Sequence, residues 1–185
     1  MITASQLKNG TLFEYEGSIV QVISFQMHRK SQSASVMRCK FRNLNTGAVI
    51  ETAFSTGEKF KEVDVQKRPK NYMYTEGGMA HFMDMENYEQ IAFPIEKLGD
   101  QAKFLVENME CEGMYLNEKL FSVELPVAVT LTVRETVPGV KGDSVSNMFK
   151  PCTLETGAEI KIPLFINEGD KIKVDTRTGE YIERA

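Results

Sequence analysis

A succession of short alternating segments separated by turn residues is the feature that most constrains the fold of this chain. Between residues 160 and 174, isoleucine and valine alternate with lysine, which predicts strands with one apolar and one solvated face. Residues 12–15 and 19–25 flank Glu16-Gly17 in the manner of a hairpin. The other segments of this type cover residues 36–42, 48–54, 71–75, 80–84, 109–116, 119–124 and 127–133. An all-β chain is predicted.

Helix is expected in one place only. Pro94 is positioned to begin a short helix and Gly99 to end it, and residues 100–106 favour a further turn. Lys67-Arg68-Pro69-Lys70 is charged and interrupted by a proline, which biases the preceding residue to extended geometry. We therefore interpret these four residues as a linker between domains.

The charge of the chain divides it into three parts. Residues 1–63 carry a net charge of +3, residues 64–128 a net charge of −6, and residues 129–185 a net charge of −1. Such asymmetry indicates separate domains, predicted at residues 1–64, 65–128 and 129–185. Residues 20–50 contain five basic residues and no acid, so this segment has a local positive field that could engage phosphates although the whole chain is acidic.

Several functional classes lack support in the sequence. Three widely spaced cysteines and two histidines form no zinc or disulfide pattern, and the acidic clusters lack metal-loop spacing. No phosphate-binding glycine loop or nucleophile motif is found, so no catalytic residue, metal or cofactor is expected. No segment has the roughly 18 apolar residues of a membrane span or the pattern of an export signal. A cytoplasmic protein without a membrane partner is predicted.

Three stretches of the sequence resemble bacterial translation elongation factor P. The first is residues 25–47, which end in the run R-C-K-F-R-N-L-N-T-G. The second is residues 72–90, with Y-M-Y, F-M-D and Y-E-Q. The third is E-T-V-P-G-V-K-G-D-S at residues 135–144, followed by Lys150-Pro151, Thr156-Gly157, Pro163 and Gly169. Residues 175–184 also fit, so the resemblance covers nearly the whole chain.

This resemblance implies an SH3-like barrel followed by two OB folds, arranged in an L shape like a tRNA. Members of the family bind both ribosomal subunits between the P and E sites as monomers. They contact peptidyl-tRNA in the P site and relieve stalling where consecutive prolines are joined. The factor itself performs no chemistry. An alternative is a divergent RNA-binding paralogue that acts away from the ribosome.

The loop expected to face the tRNA end departs from the family. Where the family reads K-P-G-K-G, this chain has Arg29-Lys30-Ser31-Gln32-Ser33, with Gln32 at the tip. Glutamine forms hydrogen bonds but has no charge and no amine to modify. Three interpretations stay open: Gln32 acts unmodified, the chain is a paralogue with other stalled substrates, or Lys30 replaces the usual lysine.

The remaining site predictions fall on three other segments. Alternation places Arg38, Lys40 and Arg42 on one face of a strand, where they are expected to be exposed, without local neutralisation, and to bind RNA phosphates together with Arg29. The resemblance implies two further contacts. The first is a small-subunit loop near the E-site codon, formed by Gly142, Asp143 and Ser144. The second is a tRNA-facing pair near the C-terminus, formed by Tyr181 and Arg184.

Overall fold

The computed structural model describes residues 1–28, 35–139 and 148–185. In this part of the chain, strands form three larger sheets and one small ribbon. The all-β prediction of three tandem barrels is confirmed. Among the described residues, no helix has the length and apolar character needed to cross a membrane.

The first sheet has four antiparallel strands in the order β2-β3-β4-β5. A short ribbon of β1 and β6 accompanies it. Its core is aromatic, with the Phe13 and Phe60 ring centroids 4.7 Å apart and Phe41 and Phe54 packed beside them. The strands are β1 Ile2–Thr3, β2 Leu12–Tyr15, β3 Ser18–His28, β4 Val36–Asn43, β5 Val49–Ser55 and β6 Lys59–Phe60.

The second sheet has five strands in the order β11-β10-β7-β8-β9. The predicted linker is wrong: Lys67 to Lys70 lie within β7, where Pro69 is opposite Glu112 of β10. The Pro69 carbonyl accepts a hydrogen bond from the Met85 N–H, so the proline is accommodated in a paired strand. The strands are β7 Gln66–Glu76, β8 Met79–Asp84, β9 Gln90–Pro94, β10 Glu110–Leu116 and β11 Lys119–Glu124.

A 3-10 segment, Ile95–Phe104, connects β9 to β10. It begins after Pro94 and is interrupted at Gly99, whose φ of 59° is not helical. The predicted start, the break and the additional turn are therefore confirmed, although the turns are 3-10 rather than α-helical. Gly99 lies against Gly47, which is in the turn between β4 and β5, and a Cβ on Gly47 would be 2.5 Å from the Glu96 carbonyl oxygen. This turn and the 3-10 segment approach so closely that neither glycine could carry a side chain without displacement.

The third sheet has five strands in the order β14-β13-β12-β15-β16. The predicted alternation is confirmed, because Ile160, Ile162, Ile172 and Val174 are buried. One hydrophobic cluster extends through the second and third sheets, whereas the first sheet has a core of its own. The strands are β12 Ala128–Thr136, β13 Phe149–Leu154, β14 Glu159–Pro163, β15 Lys171–Asp175 and β16 Tyr181–Arg184.

Candidate nucleic-acid interface

Strand β4 presents two exposed cations on a rigid support. Arg38 and Lys40 are exposed, while Met37, Cys39 and Phe41 between and beside them are buried. β4 lies between β3 and β5 and pairs with both along its length, so the backbone that carries the two side chains is fixed. Two cations on one strand face are spaced to meet successive groups of an extended polyanion.

The prediction that Arg42 is a third exposed cation is wrong. Only 4% of Arg42 is exposed, although it lies on the same strand face as Lys40. Ile23 and Val49 from the first sheet and Phe104 from the 3-10 segment line a small cavity together with it. Burial lowers the pKa of the Arg42 guanidinium, an effect that the negative charge of Asp100 opposes. Packing against parts of the chain outside its own sheet, which strand alternation cannot reveal, accounts for this burial.

The sequence near these cations contains no acid, but the fold brings one acid next to Lys40. Glu51 of β5 lies directly opposite Lys40, although it is eleven positions away in the chain. Arg38 has Gln26 and Ala53 as its cross-strand neighbours. Within the described ranges, neither Arg38 nor Lys40 forms an ion pair. Arg38 is therefore the less compensated of the two cations.

The predicted loop tip lies outside the described residues. This applies to Arg29, Lys30, Ser31, Gln32 and Ser33. The structure does describe the strand ends on both sides, where His28 of β3 pairs with Val36 of β4. Phe25 and Met27 of β3 are exposed on this hairpin, by 39% and 47%. The roles assigned to the loop residues stay predictions.

The predicted small-subunit loop, Gly142, Asp143 and Ser144, is also outside the described residues. Lys150, near the start of β13, is a buried lysine. It is 4% exposed, and its Nζ donates a 2.8 Å hydrogen bond to the Val137 carbonyl. This bond joins the end of β12 to β13. The sequence singled out Lys150 only as part of a motif, because alternation alone gives a lysine no reason to be buried.

Tyr181 and Arg184 lie on the edge strand β16. A register shift leaves Tyr181 opposite Val174 and Arg184 opposite Ile172. Val174 and Ile172 are two positions apart on β15 and therefore share one face of that strand, so their partners Tyr181 and Arg184 are neighbours. Tyr181 packs partly against the hydrophobic core. Arg184 forms an ion pair with Asp170, with 2.9 Å between Nη2 and Oδ1. The guanidinium has five N–H donors, so this pair leaves others available.

The structure also brings together residues that the sequence did not connect. Arg177, in the turn after β15, and Lys103, in the 3-10 segment, line one small cavity with Lys40 and Arg42. Arg177 is paired with Asp175, with 3.1 Å between Nη2 and Oδ2. The cavity lies between parts of all three barrels, so no pattern within a single domain would have indicated it.

Comparison with known proteins gives matches along the whole chain. Three family models match: "Elongation factor P (EF-P) KOW-like domain" at residues 3–60, "Elongation factor P (EF-P) OB domain" at 65–123, and "Elongation factor P, C-terminal" at 129–184. Among solved structures, "Eukaryotic translation initiation factor 5A from Methanococcus jannaschii" aligns with a TM-score of 0.45 and 16% identity, over 68% of this chain and 90% of that chain.

Relatives named "Elongation factor P" match over the full length of both chains. The protein from Elusimicrobium minutum (strain Pei191) is 54% identical over 186 residues, covering 100% of each chain. The protein from Endomicrobium trichonymphae is 49% identical over 185 residues, again with 100% of each covered. Full-length identity of this degree, together with three family models in the same order, shows that the chain belongs to the elongation factor P family of translation factors.

Proposed function

We propose that this elongation factor binds the ribosome between the P and E sites and contacts peptidyl-tRNA in the P site. There it stimulates peptide-bond formation where consecutive prolines stall synthesis. The observation that carries the proposal is the match of elongation factor P family models to all three parts of the chain. The exposed cations of β4 support it, since a ribosomal factor must meet a surface of RNA phosphates.

The contribution of the factor is one of positioning. Holding the reacting groups of peptidyl-tRNA in a productive arrangement lowers the entropic part of the barrier without a catalytic side chain. In this view Arg38 and Lys40 hold the tRNA backbone, and Arg29 adds to them. Gln32, flanked by Lys30, Ser31 and Ser33, reaches toward the tRNA end. A rigid strand pair behind that loop is the support that such a reach requires.

The third barrel would secure the other end of the factor. Gly142, Asp143 and Ser144 are proposed to face the small subunit near the E-site codon. Tyr181 and Arg184 are proposed to face tRNA, where an aromatic ring can stack and a guanidinium can bind phosphate. The factor would act as a monomer in the cytoplasm and contact both ribosomal subunits.

Co-sedimentation with ribosomes is the first experiment. The protein should pellet with ribosomes that carry P-site peptidyl-tRNA and should remain in the supernatant when salt is raised. A protein that binds free RNA but not ribosomes would instead favour the off-ribosome alternative.

A reporter with a polyproline stretch then tests the assigned residues. The variant Arg38→Ala with Lys40→Ala should lose most of the stimulation. The matched control, Lys8→Ala with Lys59→Ala, removes the same charge from exposed positions of the same barrel and should retain it. Gln32→Ala and Gln32→Lys test the tip. If Gln32→Ala is fully active while the Arg38/Lys40 variant is inactive, the tip assignment is wrong and the assignment of β4 stands.

A further inference from the structure

A cavity of about 140 Å³ lies between the first sheet, the 3-10 segment and the turn after β15. A single water molecule needs roughly 10–15 Å³ of such volume, so the cavity has room for a polyatomic group. Its charged lining consists of four cations and one acid. These are Lys40 and Arg42 of β4, Asp100 and Lys103 of the 3-10 segment, and Arg177 after β15.

Arg42 is the buried cation of this cavity, and it has no ion-pair partner among the described residues. Only 4% of it is exposed, and its Nε has no hydrogen-bond acceptor among the described residues. Its guanidinium forms no ion pair with the described part of the chain, because Asp100 acts on it only from beyond contact distance. A buried charge without hydrogen bonds is costly. Unlike Arg42, Arg177 in the same cavity already has a carboxylate partner.

We propose that this cavity binds a tetrahedral oxyanion, a phosphate group, with Arg42 as its principal donor. The planar guanidinium suits two parallel hydrogen bonds to phosphate oxygens. Lys40, Lys103 and Arg177 surround the same space with positive charge and would strengthen the attraction. Because the lining comes from the first sheet, from the 3-10 segment of the second barrel and from the turn after β15 in the third, a bound phosphate would also connect the three barrels.

The phosphate group has two possible sources, a free inorganic ion or the backbone of an RNA partner. The geometry supplies the same donors to both. Occupancy by a free ion would not depend on the proposed ribosomal role, whereas occupancy by RNA would deepen that role. The experiments therefore measure the anion first and the RNA separately.

Calorimetric titration of the full chain with inorganic phosphate, at constant ionic strength, tests the site. The wild-type protein should show saturable binding at one site. Arg42→Met should weaken it at least about tenfold, as expected for loss of a charge-assisted donor pair. Lys161→Met, an exposed lysine on β14, is the matched control and should bind like the wild type. Absence of saturable binding to the wild type, or equal binding by Arg42→Met, overturns the proposal.

A second variant keeps the test decisive if Arg42→Met does not fold, as judged by circular dichroism. Lys103 is exposed, so Lys103→Met should fold, and it should weaken phosphate binding by roughly threefold or more through loss of one neighbouring charge. An unchanged affinity in that variant contradicts the charge arrangement proposed for the cavity.

Competition with tRNA identifies the source of the phosphate group. If added tRNA displaces inorganic phosphate from the wild type, the cavity takes a backbone phosphate. If both bind together, it takes the free ion, and the site stands in either case. Ribosome co-sedimentation is scored independently. A protein that binds phosphate but not ribosomes would refute the proposed function and leave the anion site intact.

Discussion

Replacing Asp84 by asparagine should strongly destabilise the second barrel. The Lys70 side chain is completely buried and the Asp84 side chain is 5% exposed, and the two form an ion pair. The Lys70 ammonium also lies over the Tyr115 ring, 4.9 Å from its centroid. Asparagine retains the size of Asp84 but leaves a buried ammonium without its counter-charge. Breaking a buried pair from one side costs about 3–5 kcal/mol, which is our expectation for the loss in free energy of unfolding.

Urea denaturation followed by circular dichroism measures this loss. The matched control is Glu14→Gln, which breaks an exposed pair with Lys61 whose side chains are 45% and 68% exposed; such pairs contribute at most about 1 kcal/mol. Adding Lys70→Met to Asp84→Asn removes the stranded ammonium and should restore most of the stability. If Asp84→Asn costs no more than Glu14→Gln, the pair does not stabilise the barrel as reasoned here.

Three further predictions concern other features. A hydrogen bond from Lys70 lowers the pKa of Asp84. The carboxylate of Asp84 therefore stabilises the fold fully above the ordinary carboxyl pKa, and this stabilisation is lost as the pH falls through the lowered pKa. The free energy of unfolding of Asp84→Asn, measured during acid titration, should depend less on pH than that of the wild type. Gly47→Ala should cost more stability than Gly17→Ala, because both have positive φ but only Gly47 faces other backbone, that of the 3-10 segment; equal denaturation midpoints would contradict this. Burial raises the pKa of Cys39 to about 11, so thiol reagents should label it only after denaturant is added, which mass spectrometry can check.

Strand positions were predictable because they depend on local alternation. β4, β8, β10 and β11 lie within a residue or two of the predicted segments, and the break at Gly99 follows from its conformational freedom. The linker interpretation of Lys67 to Lys70 was wrong because a proline in the sequence does not reveal whether its segment pairs with other strands. Pairing from both sides is a property of the sheet, and the sequence of β7 alone does not contain it.

The candidate site was predictable only in part, for a related reason. Alternation correctly assigned Arg38 and Lys40 to an exposed face. It could not show that Arg42, two positions further on, is buried beside the 3-10 segment, or that Glu51 lies opposite Lys40. Both outcomes depend on the packing of residues far apart in the chain, and the family resemblance gave no information on either.

The salt dependence of binding to ribosomes carrying peptidyl-tRNA tests the central claim most directly. If Arg38 and Lys40 each hold an RNA phosphate, binding should weaken as salt increases. Alanine at both positions should reduce the slope of log affinity against log salt concentration by roughly two, about one for each phosphate that is no longer bound. An affinity that salt does not change, or a slope that is the same in the wild type and the double variant, would contradict phosphate binding by β4.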